Sequence, residues 1–304
     1  MIGNEVWKYF FLNSLFAIRK IRLSGVKMIN REFKEELCTK CGTCAFNCPM
    51  GLIQINDFPE IVEGSEVMCN QCGHCGAICP EGAIGLINLS TDGDKKSETV
   101  TESGEGLNIS PEQMEFHMKF RRSIRNYSDR PVEREILEEI FDMVRYAPSA
   151  GNGQPVQWIV FNDPGKISQI AEASMEAMRE ISKTDSPLND RIPLASFVEA
   201  WENGMGTILR EAPCLVVAHA PEDNMMAVGD GMIALTHLDL ALPSFGLGGC
   251  WAGLFNIVCN QHPPLKDMLG IPKGNNIIYP FMLGYPKYKY HRIPERNESN
   301  IIWK

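Results

Sequence analysis

Cysteine is scarce over most of this chain. Outside residues 38–79 there are three, the scattered Cys214, Cys250 and Cys259. Isolated free cysteines are by default small buried hydrophobes, so these three are assigned to the core and a disulfide scaffold is excluded there. An excess of basic charge is also missing: 29 Lys and Arg stand against 38 Asp and Glu, a net charge of -9. Nucleic acid needs a basic face and is excluded as a partner. The first 27 residues are locally basic and hold an apolar run at 10–18, interrupted by Asn13 and Ser14. That run is far short of the roughly 20 residues that span a bilayer. Its charges follow the apolar part and no small-residue cleavage site is present, which argues against a secretion signal. The composition suits a cytoplasmic protein. No G-x-G-x-x-G follows an apolar strand, so no Rossmann dinucleotide site is read.

What the rest of the chain lacks, residues 38–80 concentrate. Cys38, Cys41, Cys44 and Cys48 are followed by Pro49, and Cys69, Cys72, Cys75, Cys79 and Pro80 repeat the same spacing. A tight C-x2-C-x2-C loop aims three thiolates inward, as a cube of iron and sulfide requires. Zinc knuckles share C-x2-C but explain neither the third cysteine nor the closing Cys-Pro in both runs. Clustered C-x2-C without a secretion signal likewise points to metal rather than disulfides. The stretch resembles a bacterial-type two-cluster ferredoxin over about residues 31–90. In that family each trailing cysteine ligates the other run's cluster. The resemblance therefore implies one 4Fe-4S centre on Cys38, Cys41, Cys44 and Cys79, and a second on Cys69, Cys72, Cys75 and Cys48.

Four regions follow. Residues 1–30 are an N-terminal extension, either a surface helix that touches membrane or a partner, or sequence ahead of a true start at Met28. Residues 31–90 are the two-cluster domain. Residues 91–110 are polar and rich in Gly, Ser and Thr, a flexible linker whose typical end-to-end distance is roughly 25 Å. Residues 111–304 form the larger domain. There Ser110, Pro111 and Glu112 predict a helix start, and Ile136, Leu137, Ile140, Phe141 and Val144 recur at helical spacing. Strands are predicted at 158–161, 215–218 and 277–283. Helices are predicted at 167–181 and at 232–242, the latter apolar on almost every side and so buried in the core or in a subunit interface. Residues 183–193 are polar with two prolines and read as a mobile loop or lid. Helices interleaved irregularly with strands give an α+β class.

Three stretches in this domain are hard to explain as scaffold. Arg121-Arg122-Ser123-Ile124-Arg125 ends a helix with three guanidiniums and a hydroxyl, a set suited to phosphate. The loop Ala147-Pro148-Ser149-Ala150-Gly151-Asn152-Gly153-Gln154-Pro155 combines small residues with amides that can read polar ring edges. Gly246-Leu247-Gly248-Gly249-Cys250-Trp251-Ala252-Gly253 follows the apolar helix, and its plainest reading is a glycine-rich helix stop.

In this order, with Leu283-Gly284-Tyr285-Pro286 and Arg292 beyond them, these stretches resemble the nitroreductase family of FMN-binding oxidoreductases over about residues 112–296. The resemblance implies an α+β homodimer with two FMN sites, each built from both chains. It assigns Arg121, Arg122, Ser123, Arg125 and Arg292 to the flavin phosphate. Ser149, Asn152 and Gln154 would line the isoalloxazine and ribityl chain, and Trp251, Ala252 and Gly253 would pass the ring with their backbone. Relatives often carry a lysine two residues before the C-terminal arginine. Tyr290 stands there in this chain, and Lys289 is the candidate substitute.

The fusion predicts an oxidoreductase in which electrons enter at the clusters, load FMN and leave to a small acceptor such as a nitro compound, quinone or enone. A flavin can take electrons singly and deliver a pair. The donor to the clusters would be reduced ferredoxin. The alternatives are NAD(P)H as direct donor to FMN, or an electron carrier that serves a protein partner. A narrow, covered flavin pocket would favour the carrier and an open one the enzyme. Reductive dehalogenation, as in flavin deiodinases, needs a lid with Glu, Tyr and Lys. Residues 170–200 offer Glu172, Glu176, Glu180 and Lys183 but no Tyr. No catalytic acid is named.

Overall fold

The computed structural model describes residues 31–86, 108–206 and 208–304. The predicted N-terminal extension and all but the last residues of the predicted linker lie outside the described residues. The chain divides into two compact units, Met1–Thr99 and Val100–Lys304.

In the N-terminal unit, β1 (Arg31–Phe33) pairs antiparallel with β4 (Ile84–Leu86), and β2 (Ile53–Ile55) with β3 (Pro59–Ile61). Two single-turn helices, α1 (Thr43–Phe46) and α2 (His74–Ala77), carry the third cysteine of each run. The sequence repeat is also a backbone repeat. Gly42 and Gly73 precede the helices with φ of 75° and 76°, and Lys40 and Gln71 share the left-handed region at 58° and 54°. Glycine enters that region freely, which is what turns each loop back on itself. The buried core is small: Cys44, Ile53, Cys75 and Ile84, with Phe33, Ala45, Cys48 and Ile55 against it.

The C-terminal unit is built on an antiparallel sheet in the order β5-β6-β8-β7: β5 (Gln157–Phe161), β6 (Cys214–Pro221), β8 (Asn275–Gly284) and β7 (Gly248–Trp251). β6 is buried at every position but its last, and its side chains alternate between two cores, as strand geometry demands. Leu215 and Val217 pack with α5 (Pro164–Ser182), α8 (Gly253–Gln261) and α9 (Pro263–Leu269). Cys214, Val216 and Ala218 pack with α4 (Arg134–Val144) and α7 (Ala227–Ala241). A strand covered on both faces reads as a continuous apolar run.

The predicted helix start at Ser110 is a reciprocal capping box. The Ser110 hydroxyl accepts from Gln113 N at 3.2 Å and Gln113 Oε1 accepts from Ser110 N at 2.9 Å, opening α3 (Pro111–Phe120). The apolar helix α7 has two kinds of face. Leu235 and Leu238 are fully buried, whereas Met232 and Ile233 are about 38% and 39% exposed.

Two expectations change. Residues 183–193 are not a loose loop: Asn189 Nδ2 donates to Ile181 O at 3.1 Å and Thr184 O at 2.7 Å, and Leu188 and Ile192 pack on the core. The segment is a pinned turn that leads into α6 (Leu194–Glu202). The glycine-rich stretch, read as a helix stop, is a stop only at Gly246, whose φ is 71°. Its continuation is β7, a strand that short Gly-Gly-Cys-Trp gave no periodicity to reveal.

Candidate functional site

The first site is in the N-terminal unit. Cys38, Cys41, Cys44 and Cys79 line one hollow, together with Thr39, Thr43, Pro59 and Ile84, and its empty volume is about 320 Å³ with open solvent included. The trailing cysteine of the second run thus faces the first three of the other. Backbone amides point at sulfur: Lys40 N donates to Cys38 Sγ at 3.4 Å and Ala83 N to Cys79 Sγ at 3.3 Å. The first run's mirror of the Cys79 contact is Leu52 N to Cys48 Sγ at 3.3 Å. Donors aimed at sulfur favour the thiolate, the form that binds metal. A hydrogen bond with Thr43 holds the Cys41 thiol below its ordinary range. Burial pushes Cys44 up, with Cys41 and Cys79 close enough to add to the shift. Among the described residues no three His, Cys, Asp or Glu side chains converge as one bare metal ion would need. The four thiols around the hollow are the soft donor set that an iron-sulfur cluster would take.

The second site is a cavity of the C-terminal unit with about 1060 Å³ of empty volume, open solvent included. Arg125, Arg210, Met175, Phe197 and the run from Cys250 to Leu254 are on its wall. Its construction explains the glycines. A side chain at Gly248 would put its Cβ 2.3 Å from Ile124 Cγ1, and one at Gly249 would meet Phe281 Cε1 at 2.1 Å and Met282 O at 2.8 Å. Bare backbone lets β7 lie against the arginine turn, where Ile124 N donates to Gly249 O at 2.8 Å. Gly284 allows the same approach on the other side, since its Cβ would fall 2.4 Å from Pro213 Cγ. Tyr285 is then fixed by donating to Glu133 Oε2 at 2.6 Å, under the Arg130 guanidinium 3.9 Å from its ring.

The arginines divide their work. Arg121 Nη1 is 3.2 Å from Asp239 Oδ2, and the Trp251 indole N–H donates to the same oxygen at 3.3 Å. Desolvation raises the Asp239 pKa, and the two partners oppose that rise. Arg122 has its Nη2 buried without a partner. Arg125 is exposed on the cavity wall and, among the described residues, forms no ion pair.

Arg125, Trp251, Ala252 and Gly253 are therefore brought together, with Arg121 tied to Trp251 through Asp239. The loop of Ser149, Asn152 and Gln154 does not line this cavity. It is held elsewhere, by Asp230 Oδ1 accepting from Ala150 N at 2.9 Å, with Asn152 and Gln154 at φ of 56° and 45°. Lys289 and Arg292 are exposed on an irregular C-terminal segment, away from the cavity wall. Arg210 and Asp239 are missed by sequence reasoning. Asp239 had a signal, an acid in the mostly apolar second half of its helix; Arg210 had none. Cys214 and Cys259 are buried thiols pushed up to about 12 and about 11 by desolvation, as inert core cysteines should be. Glu176 pairs with Arg179 and Glu180 with His262, so neither is on the cavity wall.

Comparison with known proteins agrees with this geometry. Residues 118–285 match the model of the nitroreductase family, and residues 37–84 that of a 4Fe-4S dicluster domain. An NADH dehydrogenase of Thermus thermophilus is 30% identical over 198 residues, 60% of this chain and 92% of that protein. An FMN reductase [NAD(P)H] of Bacillus subtilis is 28% identical over 179 residues, 57% of this chain and 67% of that protein. A nitroreductase from Bacteroides fragilis, solved with bound FMN, shares the fold with a TM-score of 0.53 at 21% identity, over 64% of this chain and 98% of that one. With more than half its length matched between Met118 and Tyr285, across the arginine turn, the glycine strand and the cavity between them, the chain belongs to the nitroreductase family.

Proposed function

We propose that this protein is an FMN-dependent oxidoreductase that reduces a small organic acceptor. The observation that carries the reading is a pair of cations in the arginine turn: Arg122, whose Nη2 is buried without a partner, and Arg125, on the cavity wall and without an ion pair among the described residues. A buried charged donor without a partner is costly and marks the place of a missing anion. FMN offers a phosphate to Arg122, and Arg125 would meet a polar edge of the ring. Bound there, the flavin would supply hydride chemistry and the exchange of single electrons for pairs. Trp251 to Gly253 would pass the ring, and Asp239 would hold Trp251 and Arg121 in place. The loop of Ser149, Asn152 and Gln154 lies off this cavity, which is what a site shared between two chains of a homodimer requires. Exposed Arg125, Met205 and Arg210 at the cavity wall favour an open enzyme pocket over a covered relay.

For the donor, the relatives named after NADH and NAD(P)H favour a nicotinamide nucleotide over the cluster-first route expected from sequence. The cluster route is the second reading, supported by the four-cysteine hollow. Anaerobic stopped-flow on the whole chain separates the two. NAD(P)H should reduce FMN at equal rates in wild type and Cys41→Ser if the nicotinamide route holds. Reduction by ferredoxin that is fast in wild type and lost in Cys41→Ser, with NAD(P)H slow in both, would promote the clusters. Arg122→Ala should weaken FMN binding roughly tenfold to a hundredfold, the ordinary worth of a charge-assisted contact. Unchanged affinity in a folded Arg122→Ala protein would remove the phosphate from this turn.

A further inference from the structure

Arg210 is given no binding partner in the reading above, yet it is on the same cavity wall as Arg125. It sits in the segment leading into β6, after fully buried Leu209. Backbone φ is 55° at Arg210 and 54° at Glu211. Two successive non-glycine residues in the left-handed region are rare, and such strain is retained chiefly where a site needs a side chain aimed in one direction. The surroundings of Arg210 are apolar: Met175, Phe197, Met205, Leu254 and Met282 share the wall, and no Asp or Glu does. Among the described residues Arg210 forms no ion pair. A guanidinium beside apolar walls, with no carboxylate of the chain to meet it, is matched by a flat apolar molecule that brings its own anionic group. The rigid fork of arginine suits a carboxylate.

We propose that Arg210 binds the carboxylate of the acceptor, so that the substrate class is small aromatic or unsaturated carboxylates rather than neutral nitroaromatics or quinones. This rests on the cavity being the FMN site. The test uses the whole FMN-loaded chain and two ligands that cannot be reduced there, benzoate and its neutral analogue benzamide, titrated by calorimetry. Wild type should bind benzoate more tightly than benzamide. In Arg210→Gln, benzoate affinity should fall roughly tenfold to a hundredfold while benzamide affinity stays unchanged. Arg210→Asn should behave the same way, and asparagine tolerates the left-handed backbone, so a folding defect in the Gln variant would not hide the result. The KM for 4-nitrobenzoate should rise by the same factor, with that for nitrobenzene unmoved. Equal affinity of wild type for the two probes, or unchanged benzoate affinity in both variants, overturns the proposal. It is also overturned if the variants shift only the flavin midpoint potential, which would make Arg210 a cofactor contact, or only the KM for NADPH, which would make it a donor contact. A wild-type chain that retains no FMN after gel filtration sinks the flavin reading and this one together. FMN retained without carboxylate selectivity sinks this one alone.

Discussion

In the N-terminal unit three of the four cysteines around the hollow come from one short loop. In the C-terminal unit Arg125, Arg210 and Trp251 reach one cavity from distant segments. The first arrangement asks little of a tertiary fold, because Gly42 and Gly73 bend each loop locally and the cysteines are themselves much of the core. The second exists only because two helix layers bury β6 on both faces and glycines let β7 press against the arginine turn. The first unit should therefore depend on its ligand for its structure, and the second on its packing.

Removing iron is the strongest way to test that contrast. So small a core leaves a domain marginal without metal, and metal-binding energy becomes folding energy. Anaerobic protein should hold about eight iron and eight labile sulfide per chain. After chelation, hydrogen exchange should show protection lost in residues 31–86 and kept in β6 and β8. Protection that survives in both units would break the comparison. Cys48→Ser sharpens it: through the crossed assignment, this change should damage the cluster held by Cys69, Cys72 and Cys75. Damage confined to the cluster of Cys38, Cys41 and Cys44 would show that the ligands do not cross.

The next effect belongs to the packed unit. Gly249→Ala places a methyl 2.1 Å from the Phe281 ring, and fully buried Phe281 has no room to retreat. Overpacking of this kind costs about 1–3 kcal/mol, which urea denaturation followed by tryptophan fluorescence would register. Iron content should not change. Loss of FMN without loss of stability would instead make the glycine a ligand contact and not a packing device.

What was legible in the sequence follows the same division. The cysteine repeat was legible because spacing and local turns carry it, whereas the expectation that Cys79 lies with the other run came from the resemblance to two-cluster ferredoxins; Cys79 does line a hollow with Cys38, Cys41 and Cys44. The helix start at Ser110 and the strand cores at 158–161, 215–218 and 277–283 were legible because capping and apolar runs are local signals. β7 was not, since its four residues are a strand only by pairing with β8 at Gly248–Gly284 through Trp251–Phe281. Nor was the bond between Arg121 and Asp239, nor the place of Arg210, because each depends on which segments the sheet brings together. Composition was also silent about the turn at 183–193: a polar stretch with two prolines suggested a loose loop, but one amide, Asn189, ties it to the end of α5.

The smallest effect is electrostatic, and it isolates the junction that seats Tyr285. Glu133 accepts from Tyr285 and from Arg130, and these bonds bring its carboxyl from an ordinary 4.5 down to about 2. A carboxylate depressed in the folded state contributes stability that is fully present above pH 4.5 and is lost as pH falls through 4.5 toward 2. The pair is partly exposed, so solvent screens much of the effect. His219 also destabilises the fold on acidification, because burial lowers its pKa. That loss begins higher, as pH falls below the ordinary histidine value near 6.5, so the two windows are separable. Glu133→Gln keeps an acceptor for the Tyr285 hydroxyl and removes only the titration. Urea midpoints of wild type and variant, read by tryptophan fluorescence, should differ most at neutral pH and converge as pH falls from 4.5 toward 2. Equal midpoints at every pH would mean that the hydrogen bond, which glutamine keeps, and not the charge, holds Tyr285 in place.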